Sequence, residues 1–277
     1  MSPVPGTLWL VGTPIGNLGD VSERAARTLG AADVIACEDA RRTRKLLSHL
    51  GVSARRLVSF NEGNERRQVP FLLDHLRAGR DVAVVSDAGM PGLSDPGYRL
   101  VVACAAADIR VDVVPGPSAA VAALVISGLP TARFAFEGFL PRKAGERRAR
   151  LSSLAEDPRT VVVFESPRRV RALLDDALAA LGDRRAVVVR ELTKIHQEVL
   201  RGRLSELPSG LADEILGEVV VVIEGAAHAP GADIDALGDR VEELTAGGLP
   251  RKEAAARVAE ETGVSKRALY EASLRRR

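Results

Sequence analysis

Four loops in this chain share a composition suited to holding a ligand. GTPIGNLGD (residues 12–20), CEDARRTR (37–44), SDAGMPGLSDPG (86–97) and PGPSAA (115–120) are rich in Gly, Pro, Asp or small residues, and each follows a short apolar run. Such residues at strand ends let backbone amides come close to a bound molecule. Taken singly, each loop is explained as well by a tight turn; four together point to a ligand-binding edge. No P-loop is present, because no Lys-Ser or Lys-Thr follows the first glycines, and Pro14 interrupts any G-x-G-x-x-G turn. No metal is expected either. His49, His75, His196 and His228 lack ligand spacing, and Cys37 and Cys104 sit inside apolar runs, where a free cysteine commonly packs as a small hydrophobe.

The elements that must carry these loops are legible as a repeated alternation. Val-rich runs at 8–11, 33–37, 56–60, 82–87 and 111–114 are separated by stretches of helical period. Fully apolar strands alternating with helices imply a parallel sheet covered on both faces, with ligands at the carboxyl ends of its strands. After residue 127 the order changes. Runs at 134–140, 159–165, 186–192, a hairpin-like 198–202 and 217–225 suggest a second, mixed sheet. With 277 residues the chain is long enough for two α/β domains. The expected division is 1–127, a parallel N-terminal domain; 128–227, a second mixed α/β domain; and, after the linker AAHAPGADID, a helical domain at 236–277.

The net charge of +2 excludes nothing, but its distribution is uneven. PRKAGERRAR (141–150) holds five basic side chains against one Glu, and residues 250–277 hold eight against four, so both segments could meet an anionic polymer or simply be solvated helix faces. The longest apolar runs, such as Val219–Ile223, are too short to cross a bilayer, and no signal sequence precedes the first strand pattern, so a soluble cytoplasmic protein is expected.

The order and spacing of GTPIGNLGD, CEDARRTR, SDAGMPGLSDPG, PGPSAA, FEGFLPR, FESPRR and RELTK resemble the ribosomal small-subunit RNA 2'-O-methyltransferase I family of the tetrapyrrole methylase superfamily. The resemblance covers roughly residues 8 to 225, and the tail is similar to the small C-terminal helical domain of many members. Three positions depart from the usual pattern: Ala40 and Met90 stand where Thr is expected, and Arg168 where His is common.

The resemblance implies two α/β domains of tetrapyrrole methylase type, with S-adenosylmethionine (SAM) bent in the cleft between them. Carried over by motif, the cofactor residues would be Pro14, Asp87, Ala88, Gly89, Ser118 and Ala119 on one side, and Phe164, Glu165, Glu191, Leu192, Thr193 and Ile223 on the other. Asp87 can accept from an ammonium, Gly89 permits close approach, and Ser118 can bond a carboxylate at a helix N-terminus, or equally serve as a plain N-cap. Methyl transfer to a ribose hydroxyl calls for a proton acceptor or a neighbouring cation. Glu38 and Asp39 are candidate acceptors, and Arg41 and Lys194 candidate charge stabilisers; alternatively, Glu38 and Asp39 cap the helix beginning at Ala40 and Arg41 pairs with them.

The implied substrate is the ribose 2'-oxygen of a cytidine in the decoding region of 16S ribosomal RNA, within the small subunit, and the implied assembly is a homodimer. Arg142, Lys143, Arg147 and Arg148 are the candidate RNA contacts. In the tail, Val258-Ala259, Gly263-Val264-Ser265 and Leu269 fit helix-turn-helix spacing, or a helical hairpin packed on the protein itself or on a dimer partner. Two other readings stay open: a SAM-dependent methyltransferase acting on a tetrapyrrole or other small molecule, and a ligand sensor whose tail binds DNA.

Overall fold

Every apolar run picked out above becomes a strand in the computed structural model, which describes residues 4–212, 214–226, 234–262 and 264–274. His228, Gly263 and most of the linker lie outside the described residues. The first half alternates β1 (Leu8–Val11), α1 (Glu23–Ala31), β2 (Val34–Cys37), α2 (Ala40–His49), β3 (Leu57–Ser59), α3 (Glu65–Arg77), β4 (Val82–Val85), α4 (Tyr98–Ala106) and β5 (Val111–Val114). Its strands form a parallel sheet in the order β3-β2-β4-β1-β5. Successive residues of a strand face opposite sides. Accordingly, Val34, Ala36, Val82 and Val84 pack under α3 and α4, while Ile35, Cys37, Ala83 and Val85 pack under α1 and α2. Covering both faces is why these strands are continuously apolar.

Helix α5 (Ala119–Ser127) leaves the first sheet and packs on the second. That sheet comprises β6 (Phe134–Phe139), β7 (Thr160–Glu165), β8 (Arg185–Arg190), β9 (Glu198–Arg203) and β10 (Val219–Ile223), with α6 (Ala144–Ser152), α7 (Val170–Leu181) and α8 (Leu207–Gly210) between them. The order is β6-β7-β10-β8-β9; β6 and β7 run parallel and the other pairs antiparallel, so the sheet is mixed. Val162, Val187, Val189, Val220 and Val222 meet Ala120, Ala123 and Leu124 of α5 on one face. On the other, Val161, Val163, Val188 and Val221 meet Leu151 of α6 and Leu173 and Leu174 of α7. Because α5 belongs to one sheet by sequence and to the other by packing, it fixes the two halves across a shared cleft.

The tail forms α9 (Ile234–Ala246), α10 (Arg251–Thr262) and α11 (Lys266–Leu274). Their core of Val241, Ala254, Ala255, Val258 and Leu269 is drawn from these helices and their connections alone. Ser265 caps α11, its Oγ accepting from the Ala268 N–H at 3.4 Å.

Candidate active site

The carboxyl ends of β2, β4 and β5 open onto a cavity of about 510 Å³ between the two sheets. Two contacts build its floor. Gly12, after β1, and Gly116, after β5, approach so closely that a Cβ on Gly116 would stand 2.8 Å from the Gly12 Cα. The loop after β4 is tied down by the Thr13 N–H donating to Gly89 O at 2.9 Å and the Gly89 N–H returning to Thr13 O at 3.1 Å. Gly89 takes φ +83, a left-handed conformation that disfavours any side chain.

Around this floor the side chains form a linked acidic rim. The Asp39 N–H donates to Asp87 Oδ1 at 3.0 Å, the Asp87 N–H donates to Glu38 Oε2 at 3.4 Å, and Arg42 lies 3.4 Å from Asp87 Oδ2. Burial pushes the Glu38 carboxyl above its ordinary pKa. Burial, reinforced by the charge of Glu38, pushes Asp95 up to about 6. Across the cleft Glu165 is fixed by the Ser166 N–H at 2.7 Å and by Arg169 at 2.8 Å. Phe164 meets Phe136 and Phe139 edge-on, packing against the core beneath α5 while also lining the cavity.

Of the cofactor residues expected from sequence, Asp87, Ala88, Gly89, Ser118, Ala119, Phe164 and Glu165 converge on this cavity. Ser118 heads α5 yet makes no capping bond, which leaves its hydroxyl for a ligand. Pro14 lines a smaller neighbouring pocket with Arg42 and Lys45. Glu191, Leu192 and Thr193 form a turn outside the cavity lining, with Glu191 at φ +50 and Thr193 at φ +66. Ile223 is fully buried in the core below α7, at the far end of its strand. The reason is strand direction. β10 runs antiparallel to its neighbours, so its amino end reaches the cleft, and Gly217, Glu218, Val219 and Val220 line it instead.

The catalytic and RNA candidates divide similarly. Glu38 lines the cavity. Asp39 is the N-cap of α2, accepting from the Arg41 N–H at 2.7 Å and the Arg42 N–H at 3.2 Å, and those bonds hold its pKa below the ordinary value. Arg41 points elsewhere on the exposed face of α2, and Arg42 takes the place on the cavity wall. Lys194 is held by Glu191 at 2.7 Å and Glu218 at 3.1 Å; burial opposes its charge, but those two bonds outweigh it and its pKa lies above the ordinary value. That is a lock between turns, not a free cation. Arg142 and Lys143 are exposed, Lys143 beside Glu146 at 3.0 Å. Arg147 is not an RNA contact in this fold: it is buried against Asp176, whereas Arg148 reaches the same carboxylate from the surface. Residues 144–152 form a helix, which turns position 147 inward and 148 outward. Among the three departures from the usual pattern, Met90 lines the cavity, Ala40 begins α2 and Arg168 is exposed.

Residues 7–208 match the family model of the Tetrapyrrole (Corrin/Porphyrin) Methylases, and residues 232–277 match the RsmI C-terminal HTH domain. The chain belongs to the tetrapyrrole methylase family. Within it, the chain is 50% identical over 275 residues to the ribosomal RNA small subunit methyltransferase I of Mycobacterium tuberculosis, covering 98% of this chain and 96% of the relative. The protein of the same name from Thermotoga maritima is 48% identical over 221 residues, 79% of this chain and 99% of its own length. A solved structure, the methyltransferase CobJ, superposes with a TM-score of 0.60 at 20% identity over 80% of this chain and 95% of its own, a likeness of fold. This family membership accounts for the two-sheet architecture with its shared cleft. Arg42, Asp95, Phe139 and residues 217–220 are among the cavity residues that sequence reasoning did not assign; Arg42, Asp95 and Phe139 stand in the motifs CEDARRTR, SDAGMPGLSDPG and FEGFLPR, whereas residues 217–220 were legible only as part of a strand.

Proposed function

We infer that this chain is a SAM-dependent methyltransferase acting on the ribose 2'-oxygen of a cytidine in the decoding region of 16S ribosomal RNA, in the small subunit. The observation that carries the reading is the identity of 50% along nearly the whole chain to a protein named for small-subunit ribosomal RNA methylation. The cavity fits the cofactor: about 510 Å³ lies within the range of small-molecule sites, and its wall combines fixed carboxylates, a free hydroxyl and aromatic surface. When bound, SAM supplies an electrophilic methyl on a sulfonium. Asp87 would hold its ammonium, Ser118 with the α5 amides its carboxylate, and Phe164, Ala119 and Val220 its apolar surface. The remaining work of the chain is alignment of a ribose hydroxyl and exclusion of water.

An RNA substrate also suits the surroundings. Arg44 and Lys45 are exposed on α2, whose Arg42 lines the cavity, and Arg142 is exposed near Phe139; none of Arg44, Lys45 and Arg142 forms an ion pair among the described residues. No helix among the described residues is long and apolar enough to cross a membrane, in keeping with action on ribosomal subunits in the cytoplasm. A homodimer is part of the same proposal, on the family resemblance.

The test is methyl transfer from labelled SAM to small subunits lacking their modification, with free 16S RNA, transfer RNA and tetrapyrrole precursors in parallel, followed by nucleoside analysis. Label in 2'-O-methylcytidine from subunits is expected. Label only in a small molecule would overturn the substrate, and SAM binding without transfer would turn attention to a sensor.

A further inference from the structure

The charged surface of the two sheets divides by strand end. At the ends remote from the cavity, Arg55, Arg110 and Arg185 are paired with Asp33, Asp112 and Glu224, and Arg80 and Arg133 lie within electrostatic reach of Asp33 and Asp157. At the carboxyl ends that open onto the cavity, Arg41 is within reach of Asp39, but six exposed cations have no carboxylate partner among the described residues. They are Arg44 and Lys45 on α2, Arg66 and Arg67 on α3, and Arg142 and Arg168 after β6 and β7. Arg66 and Arg67 occupy the first turn of α3, where the helix dipole disfavours positive charge, so they do not serve the helix. All three pairs abut the cavity. Arg42 lines it one turn before Lys45, and Phe139 and Pro167 line it just before Arg142 and Arg168. Glu65, beside Arg66, accepts from the Gly97 N–H of the loop after β4 at 3.0 Å.

An aromatic ring stands at the rim between these cations. In β6, Phe136 lies opposite Val162 but Gly138 lies opposite Val163, so Glu137 is an extra residue in the strand. Plain alternation would set Phe136 and Phe139 on opposite faces. The bulge brings both to the face of Val162 and Phe164, and so to the cleft. Gly138 takes φ +61, and a Cβ there would stand 3.0 Å from Ser94 Oγ, so the end of β6 is pressed on the loop after β4. Phe139 touches Phe164 edge-on at 5.7 Å, lines the cavity and is still 60% exposed. An exposed aromatic at the rim of a ligand cavity, bordered by unpaired cations, has the composition of a platform for single-stranded nucleic acid.

We propose that Phe139 stacks an unpaired base next to the acceptor nucleotide, while the six cations hold phosphates of the same single strand on either side of the cavity; this rests on the function inferred above. The acceptor is therefore presented in an unpaired segment. In a duplex the bases are stacked on one another and leave the ring nothing to cover.

The experiment uses the full chain as wild type, Phe139→Ala, Phe139→Trp and the double variant Arg142→Ala with Arg168→Ala. Affinity is measured for unmodified small subunits, for a short cytidine-rich RNA single strand and for the same strand annealed to its complement. SAM affinity by calorimetry, oligomeric state by sedimentation and methyl transfer to subunits are followed in parallel. Phe139→Ala should bind subunits and the single strand about 5- to 100-fold more weakly, the loss expected of one base stack, with SAM affinity within about twofold and sedimentation unchanged. Phe139→Trp should restore binding, and its indole emission, read against that of Trp9 in the wild type, should be quenched by the single strand and not by the duplex. The arginine variant should lower the slope of log affinity against log salt by about 1.4, at about 0.7 per single-strand phosphate contact. Single-strand affinity of Phe139→Ala within about twofold of wild type overturns the proposal, as does equal weakening of duplex binding, an unquenched indole or an unchanged salt slope. Loss of SAM affinity would make Phe139 a cofactor surface, and altered sedimentation would make it an interface between copies of the chain; either result also overturns it. Absence of transfer by the wild type removes the functional reading and this proposal with it, whereas transfer by the wild type with unchanged RNA affinity in Phe139→Ala removes the proposal alone.

Discussion

Replacing Arg147 by Ala separates a structural role from an RNA-binding one. Its guanidinium places Nε 2.8 Å and Nη2 2.6 Å from Asp176 Oδ2, with Nη1 3.4 Å from the Arg142 carbonyl, and its side chain is only 7% exposed. Removing one member of a buried pair typically costs about 3–5 kcal/mol, because the other charge is stranded. Here Arg148, 60% exposed, already sits 3.2 Å from Asp176 Oδ1 and takes up part of that charge, so about 2–3 kcal/mol is expected. In a chain of this size that corresponds to a fall in Tm of roughly 4–12 °C. Arg148→Ala removes a surface partner and should cost about 1 kcal/mol or less. Thermal unfolding followed by circular dichroism reads both, with RNA affinity measured well below the transition. The double variant Arg147→Met with Asp176→Leu should recover most of the lost stability, since no charge is left buried. An Arg147→Ala protein with an unchanged Tm and RNA affinity lowered tenfold would refute the assignment and restore Arg147 as an RNA contact.

Further expectations follow from other parts of the fold. Gly116→Ala sets a Cβ 2.8 Å from Gly12 Cα and should cost about 1–3 kcal/mol as well as SAM affinity in calorimetry, whereas Gly145→Ala, with nothing within 4 Å of the added carbon, should leave both intact. Asp95 carries a pH signature in stability: its folded pKa of about 6 lies above the ordinary 3.8, so the folded state binds the extra proton and stability falls as pH rises through that window. Asp95→Asn escapes this loss and should be more stable than wild type at pH 8 by about 1 kcal/mol, after solvent screening reduces an upper bound of ~3, with no such gain at pH 4 in urea titrations. Deleting residues 236–277 should leave a folded protein with unchanged SAM affinity and weaker binding to small subunits, because the tail has its own core and the Thermotoga maritima relative aligns over 79% of this chain. The double variant Arg44→Glu with Lys45→Glu should weaken small-subunit binding about tenfold at 0.1 M salt and flatten its salt dependence, leaving SAM affinity unchanged.

What the sequence determined by itself was everything carried by local pattern. Ten runs mark the ten strands of the described residues; where a strand is buried on both faces, as β2, β4 and β10 are, the run is uninterrupted, whereas the half-buried β9 (EVLRGR) was legible only as a hairpin-like segment. The glycines, prolines and Asp87 around the cleft were also legible, because close backbone approach restricts residue type wherever it occurs. What the tertiary structure alone decided is which end of an element faces the cleft and which side chain turns inward. Val219 and Ile223 are equivalent apolar positions on the same face of β10, and only the antiparallel placement of that strand between β7 and β8 brings Val219 at its amino end to the cavity and leaves Ile223 at the far end in the core. Arg147 and Arg148 are adjacent and chemically identical, yet the 100° step of helix α6 buries one on Asp176 and leaves the other at the surface. Asp95 shows the same division: its place in a Gly/Pro loop is written in the chain, but only the fold half-buries it in the cavity wall beside Glu38 and Asp87.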